Sequence, residues 1–367
     1  MLHDISVIGI GACGNKIVEK CAEKEFNTIA VNSTKIDTQV LEKTQNIVYI
    51  GDAGAGKVHK NGQKLVKKEA QTYVPRLAEL VGESDVIVVA AALGGGSGSG
   101  GLAITIDLLR SYLKQSGSTG IKFIAVGVLP CLGDDVRSLS NTLEACKELN
   151  SIGVPYMLVD NDSVDNITNR YNLINESILT DIQVIRGDFN NTTVLDNMDT
   201  KDSDRLFSCQ GLLTINKISG FKSTTLDNCS FDDLILKSIK ESYNVQLQKD
   251  KKIKRMGLIV SATEDMLKEF DRNIPLVKEE IGIPEDVFFH FNVVEKESEC
   301  SLITILSGLS MPDDHLEEMV ETINEAKEAS KSVQSNVDNL VKSTDWLDDD
   351  EDDDEEDESL EDVLNKW

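Results

Sequence analysis

Residues 51–58 read GDAGAGKV, one residue away from a P-loop. That pattern, G-x-x-x-x-G-K followed by Ser or Thr, cradles phosphates with backbone N–H groups and uses the last hydroxyl to hold Mg²⁺. Val58 stands in the hydroxyl's place and has no oxygen to offer. Two other glycine stretches have phosphate chemistry open to them. GIGACGN (9–15) is a G-x-G-x-x-G, whose glycines let the backbone approach a diphosphate at a helix N-terminus, where free N–H groups and the helix dipole favour anions. GGGSGSG (94–100), made of Gly94, Gly95, Gly96, Ser97, Gly98, Ser99 and Gly100, is almost free of side chains and can wrap phosphate oxygens with N–H and hydroxyl donors. Taken alone, the first stretch suggests a Rossmann NAD site. That reading needs an acidic residue ending the second strand, and the chain has Asn32, Ser33 and Thr34 there. A flexible linker is the bland reading of the second stretch, but linkers rarely separate a buried strand from an apolar helix.

Such loops need a scaffold, and the first 160 residues supply one. Short β-rich runs at 4–10, 28–32, 46–50, 85–92, 122–129 and 155–160 are nearly all apolar, as parallel strands buried on both faces are. Helix-compatible segments at 57–81, 101–115 and 136–151 alternate with them. The expected fold is α/β, a doubly wound parallel sheet with helices on both faces, in which ligands sit beyond the carboxyl ends of the strands. Ile174, Ile178, Ile182 and Ile185 mark a central helix near 170–186, followed by an Asn/Asp/Thr-rich loop over 187–204. From 205 to 311 the order of elements changes to that of a smaller α+β domain with a mixed sheet, with helices expected near 230–246 and 264–281. Residues 313–342 form a polar helix with a thin apolar stripe. The expected division is 1–170, a nucleotide-binding domain; 171–204, the central helix and loop; 205–311, the α+β domain; 312–344, the C-terminal helix; and 345–367, an acidic tail.

Composition narrows the function. Hydrophobic residues make up 40% of the 367, which suits a globular chain long enough for two cores. The net charge is −27. Residues 345–362 hold 14 acidic and no basic residues, so −14 lies there and −13 on the rest; such a block is expected to be disordered. An acidic body without a basic stripe argues against direct nucleic-acid binding. No apolar run reaches the ~20 residues of a membrane span, and the first residues lack the basic start of a signal peptide; a cytoplasmic protein with no membrane partner is expected. Seven dispersed cysteines without a C-x-x-C pair argue against a disulfide framework or structural zinc, and the four histidines form no ligand-spaced cluster.

GGGSGSG is similar to the GGGTGSG loop of the tubulin/FtsZ superfamily, with Ser97 keeping the hydroxyl. GACGN, with Gly11, Ala12, Cys13, Gly14 and Asn15, resembles that superfamily's first nucleotide loop, and Cys13 matches the tubulin form. GDAGAG then resembles the third loop, and Gly54, Ala55 and Gly56 are implied to reach the γ-phosphate; the role of Lys57 stays open. After the sixth strand, DND (160–162) resembles the loop that meets sugar and guanine, and YNLIN (171–175) the aromatic residue followed four positions later by Asn. The resemblance implies that Tyr171 stacks on the base while Asn15, Asn161 and Asn175 supply amides; donor and acceptor together suit guanine's edge. Asn32 is counted with these contacts. The bland alternative for Tyr171 is an ordinary core tyrosine. The fifth loop, LPCLGDDVR (129–137), departs from the FtsZ pattern and resembles the TubZ-like, plasmid- and phage-encoded branch more; Asp134 or Asp135 is implied to meet ribose or Mg²⁺, and Arg137 phosphate.

DNMDTKD (196–202) fits the family's N-x-D-x-x-D pattern, placing Asn197, Asp199 and Asp202 as catalytic candidates that act on the next subunit's nucleotide. Asp204 offers another register, plain solvated surface is the bland reading, and the loop lacks the central Gly and terminal Glu of an EF-hand. The resemblance therefore implies a GTPase using GTP/GDP and Mg²⁺, with no dedicated protein metal centre. It assembles head to tail with itself, hydrolyses at the joint, and serves plasmid or phage DNA positioning through a DNA-binding adaptor or cargo protein. The long helix and tail are expected to touch a neighbouring subunit or an adaptor, the tail otherwise being a solubilising appendage. The alternatives are an FtsZ-like division protein, whose usual C-terminal peptide is unlike SLEDVLNKW; an NAD oxidoreductase; and a homologue that binds GTP without hydrolysing it.

Overall fold

The computed structural model describes residues 2–166, 168–189, 194–245 and 253–340, with side chains of the last helix described to residue 329. The acidic tail and the terminal amphipathic stretch lie outside the described residues. The expected strands form β1 (Ile5–Ile10), β2 (Asn27–Asn32), β3 (Asn46–Tyr49), β4 (Val86–Ala92), β5 (Lys122–Leu129) and β6 (Pro155–Asp160), all paired in parallel. Between and after them run α1 (Gly11–Ala22), α2 (His59–Val81), α3 (Gly96–Gln115), α4 (Val136–Ser151) and the central α5 (Arg170–Arg186). Period-two alternation divides the core: Ile8 and Ile10 face α2 and α3 in one cluster, and Ile5 and Val7 join α1 and α5 in the other. The sheet is doubly wound.

The chain continues through β7 (Val194–Asp196), α6 (Thr200–Phe207), β8 (Gly211–Ser219), α7 (Ser223–Leu226), α8 (Phe231–Lys240), β9 (Arg255–Ala262), α9 (Glu264–Lys268), α10 (Pro275–Ile281), β10 (Asp286–Val293), β11 (Ser301–Leu309) and α11 (Asp313–Leu340). The strand order is β3-β2-β1-β4-β5-β6-β8-β11-β9-β10-β7. β8 joins β6 in parallel over only two residue pairs, Pro155–Gly211 and Tyr156–Leu212. β11 runs antiparallel to both β8 and β9, which makes this half mixed.

Four local expectations are corrected. The GGGSGSG stretch is not a loop ahead of a helix at 101. α3 begins at Gly96, so Ser97, Gly98 and Ser99 sit in its first turn. The cause is packing. A Cβ on Gly62 of α2 would press into the carbonyl oxygen of Gly96, and one on Gly100 would press into that of His59, so the two helices touch backbone to backbone. The span 187–204 holds β7 and the start of α6, because β7 pairs with β10 and the Met198 N–H donates to His290 Nδ1 at 3.2 Å. The helix expected over 264–281 ends at Lys268 as α9 and resumes as α10 at Pro275; Ile274 just before it is left-handed (φ +43°), and a residue before proline is disfavoured in the helical region. The helix expected over 230–246 ends at Lys240, with short α7 ahead of it.

α5 carries one electrostatic anomaly. Asp181 is buried, and its Oδ2 has no hydrogen-bond partner. Burial holds its carboxyl well above the usual carboxylate range, with Lys217 only partly opposing. A raised carboxyl binds its proton more tightly folded than unfolded. Its favourable contribution is therefore complete below the unfolded value near 4 and is lost as pH rises toward the folded value. Asp181→Asn is expected to melt higher than the parent at pH 7, by about 1 kcal/mol in stability, with the advantage shrinking toward pH 4. Thermal melts of both proteins at the two pH values check it.

Candidate functional site

A cleft of about 310 Å³ opens beyond the carboxyl ends of β1, β4, β5 and β6. Ala12 and Cys13 line it from α1, Gly94 and Gly95 from the turn after β4, Asp134 from the turn after β5, Asn161 from the turn after β6, and Tyr171 and Asn175 from the first turns of α5. Eight residues singled out in the sequence thus meet in one place. The others stand behind it. Gly11 opens α1 at φ +74° against the backbone of Gly98, and Gly14 packs on β4, where a Cβ would lie 2.5 Å from the Ala90 oxygen. Asn15 is buried. With its amide turned to satisfy its neighbours, its nitrogen donates to the carbonyls of Gly9, Gly11 and Val31 at 3.0–3.2 Å, and its oxygen accepts from Asn32 Nδ2 at 2.8 Å. Asn32 Oδ1 in turn accepts from the N–H groups of Ser33 and Thr34. Both amides organise the first loop and the turn after β2. Ser97 Oγ meets Ser33 Oγ at 2.7 Å, and Ser99 bonds back to the carbonyl of Gly95. Gly54 and Gly56 are left-handed (φ +80° and +60°) in the loop beside the cleft, and Ala55 is buried between them, close to Gly96. Arg137 is exposed on α4 and does not line the cleft.

The polar groups here have unmet capacity. Both α1 and α3 begin at the cleft without a side-chain cap, leaving first-turn N–H groups for an anion. Asn161 is buried, and its Oδ1 has no partner. Tyr171 is 61% exposed although it lines the cleft; it is not a core tyrosine. Cys13 is a neutral thiol, since burial pushes it up to about 11. These features fit a purine nucleotide: N–H groups for phosphates, a ring for the base, an amide oxygen for its edge.

Asp135 is already engaged. It caps α4 by accepting from Ser138 N and Ser138 Oγ at 3.0 Å each, and it pairs with Lys57. The Lys57 hydrogen bond, with those from Ser138, holds its carboxyl down at about 2. Three contributors escape the sequence reading. Lys16 lines the cleft one turn after Ala12, a place that helical spacing from GACGN could have flagged. Ser138 also lines it. Asn141 Nδ2 donates to the carbonyls of Lys57 (3.1 Å) and Gly94 (3.0 Å), stapling two loops together; no local signal marks it.

Asn197, Asp199 and Asp202 are elsewhere. Asp199 and Asp202 form a reciprocal capping box at the start of α6: Asp202 N donates to Asp199 Oδ1 at 2.9 Å, and Asp199 N to Asp202 Oδ2 at 3.4 Å. The next turn fixes the helix to the amino ends of the parallel strands. Ser203 Oγ lies 2.9 Å from the Nε2 of His3, ahead of β1, and Asp204 pairs with Lys122, the first residue of β5. Asp204 is thereby occupied. β5 rises from there for eight residues to the cleft, about 23 Å at ~3.3 Å per residue. Within one molecule the two loci do not meet.

Residues 4–169 match the Tubulin/FtsZ family, GTPase domain. The tubulin-like protein CetZ of Thermococcus kodakarensis is 25% identical over 344 residues, covering 89% of this chain and 86% of its own. The tubulin-like protein TubZ of Clostridium botulinum C phage is 21% identical over 359 residues, covering 95% and 91%. Among solved structures, TubZ of Bacillus thuringiensis serovar israelensis, in a GTPγS-form protofilament, superposes with a TM-score of 0.73 at 18% identity over 92% of this chain and 94% of that one. At that identity the likeness is one of fold.

Proposed function

We propose that this protein, which carries the GTPase domain of the tubulin/FtsZ family in residues 4–169, hydrolyses GTP only where two copies stack head to tail. The observation that carries this reading is that the cleft and the acidic start of α6 lie at opposite ends of the parallel strands. The cleft offers phosphate and base contacts but lacks the candidate water-orienting carboxylates, which sit on α6. A second copy stacked on the first presents its α6 to the cleft, and repetition of that heterologous contact makes a filament.

Each residue then has a defined task. Asn161 and Asn175 read the guanine edge and Tyr171 covers the ring. The N-termini of α1 and α3 take the phosphates. Asn197, Asp199 and Asp202 of the neighbouring copy orient the attacking water. Asp199 and Asp202 each spend one carboxylate oxygen on the helix cap, which fixes their direction before the partner arrives. Phosphoryl transfer depends on such positioning and charge rather than on covalent help. No group of three or more His, Cys, Asp or Glu suited to a metal exists among the described residues. Mg²⁺ would enter on the nucleotide's phosphates, with Asp134 the carboxylate lining the cleft that could meet it.

A role in plasmid or phage DNA positioning draws its support from the phage-encoded relative; the archaeal CetZ relatives do not carry it. No helix among the described residues is long and apolar enough to cross a membrane. The test is GTP turnover per molecule across protein concentrations, with filaments followed by light scattering. Turnover is expected to rise steeply above a threshold concentration together with scattering. A rate per molecule independent of dilution, without polymers, would overturn the proposal.

A further inference from the structure

Lys57 is the residue that makes GDAGAGKV look like a P-loop, and the sequence leaves its role open. It closes a tight loop in which Gly54, Gly56 and Lys57 all have left-handed backbone (φ +80°, +60°, +60°). For a lysine that conformation is uncommon and costs of order 1–3 kcal/mol, and it persists only when neighbouring structure holds it. The holding contact is visible: Asn141 Nδ2 donates to the Lys57 carbonyl and also to that of Gly94, the first residue of the phosphate stretch. The Lys57 backbone is thus fixed relative to the turn after β4, and Lys57 lines the cleft together with Gly94 and Gly95. The ammonium is parked on Asp135, where both side chains are about half exposed (51% and 52%). Burial does not hold the pair together, and Asp135 keeps its bonds to Ser138 N and Oγ without it.

We infer that Lys57 discriminates GTP from GDP, its ammonium leaving Asp135 for the terminal phosphate. This rests on the nucleotide reading proposed above. The chemistry is that of a lysine point charge on a phosphate, reached without a Walker helix and without the hydroxyl that Val58 lacks. In a chain of net charge −27, a triphosphate entering the cleft meets Asp134 there, and Lys57 and Lys16 are the cations lining it among the described residues. Lys16 reaches the cleft from the helix of the first loop, Lys57 from the loop stapled to Gly94. On this assignment the third phosphate is the one Lys57 serves, and a diphosphate leaves it on Asp135.

The experiment compares equilibrium affinities for GDP and for a non-hydrolysable GTP analogue, at concentrations below filament formation. The variants are Lys57→Asn, Lys57→Arg and Asp135→Asn. Asn tolerates left-handed backbone better than most residues, so Lys57→Asn removes the charge while keeping the loop; circular dichroism and melting temperature verify the fold. The expected result is about a tenfold loss of analogue affinity with GDP affinity changed less than about twofold, and partial rescue by Lys57→Arg. Asp135→Asn retains a good helix cap and removes the competing anion, so analogue affinity is expected to rise by a few fold with GDP unchanged. Equal loss of both nucleotides, or of neither, in Lys57→Asn would overturn the assignment while leaving the GTP reading intact. A parent protein that binds neither guanine nucleotide would overturn both.

Discussion

Asp199→Asn is expected to reduce GTP turnover by two to three orders of magnitude, with nucleotide binding and filaments retained. The magnitude is that of removing a group that orients or accepts a proton from the nucleophile. Choosing Asn rather than Ala follows from the capping box. Asp199 Oδ1 accepts from Asp202 N at the start of α6, and losing a cap costs about 1 kcal/mol, so Ala would mix a structural effect with a chemical one. Asn is as good a cap and lacks the charge. The decisive arm is a mixture. A second variant with both Asn161 and Asn175 replaced by Ala keeps α6 but has an impaired cleft, and alone it too should be inactive. Combined with Asp199→Asn, it places an intact α6 against an intact cleft at some joints, and turnover should return. A mixture as inactive as its parts, or an Asp199→Asn protein with normal turnover, would show that the water-orienting group lies elsewhere.

Gly62→Ala should produce the largest loss of stability among single-methyl additions on α2. Its Cβ would press into the Gly96 carbonyl oxygen and sit 3.0 Å from the carbonyl carbon. Neither atom is the end of a flexible side chain, so the helices must separate. Overpacking of this kind costs about 3 kcal/mol, and the melting temperature should fall by roughly 4 °C. Because Gly96 starts α3 beside the cleft, nucleotide affinity should fall as well. Gly133→Ala, where nothing lies within 4 Å of the added Cβ and the backbone is not left-handed, is the matched control and should change stability by less than about 0.5 kcal/mol. Similar melting temperatures for the two variants would mean that α2 and α3 do not meet backbone to backbone.

The sequence exposes the parallel half of the sheet because runs such as VIVVAAA and KFIAVGVL are apolar on both faces, a pattern that solvent on either face would interrupt with polar residues. It exposes Gly94 and Gly95 because a glycine run between a buried strand and an apolar helix is unusual, whereas Asn161, Tyr171 and Asn175 are legible only through the resemblance of DND and YNLIN to the tubulin/FtsZ loops. It hides what depends on contacts between distant segments. Asn141 lies more than forty residues from either carbonyl it serves, and nothing near it marks it as a staple. The serines and glycines of 96–100 read as loop because glycine is a poor helix former, and only the backbone contact of α2 on α3 reverses that preference. The start of α6 is nearer to hand: Asp199-x-x-Asp202 is an acidic version of the capping box, a signal for a helix as much as for chemistry. Its address at the foot of the sheet comes from β7 pairing with β10, almost a hundred residues further on.

In the head-to-tail stack proposed above, the single strand's length that divides the cleft from α6 would also give the row a direction, with the following consequences. At one extremity an open pocket looks outward, able to trade spent nucleotide for fresh. At the other, a loaded pocket faces inward and a capping helix points at empty solvent. Every pocket between them is lidded by a neighbour. Exchange is thereby confined to one tip, and a defective copy added there stops renewal, whereas the same copy added at the opposite tip leaves it running.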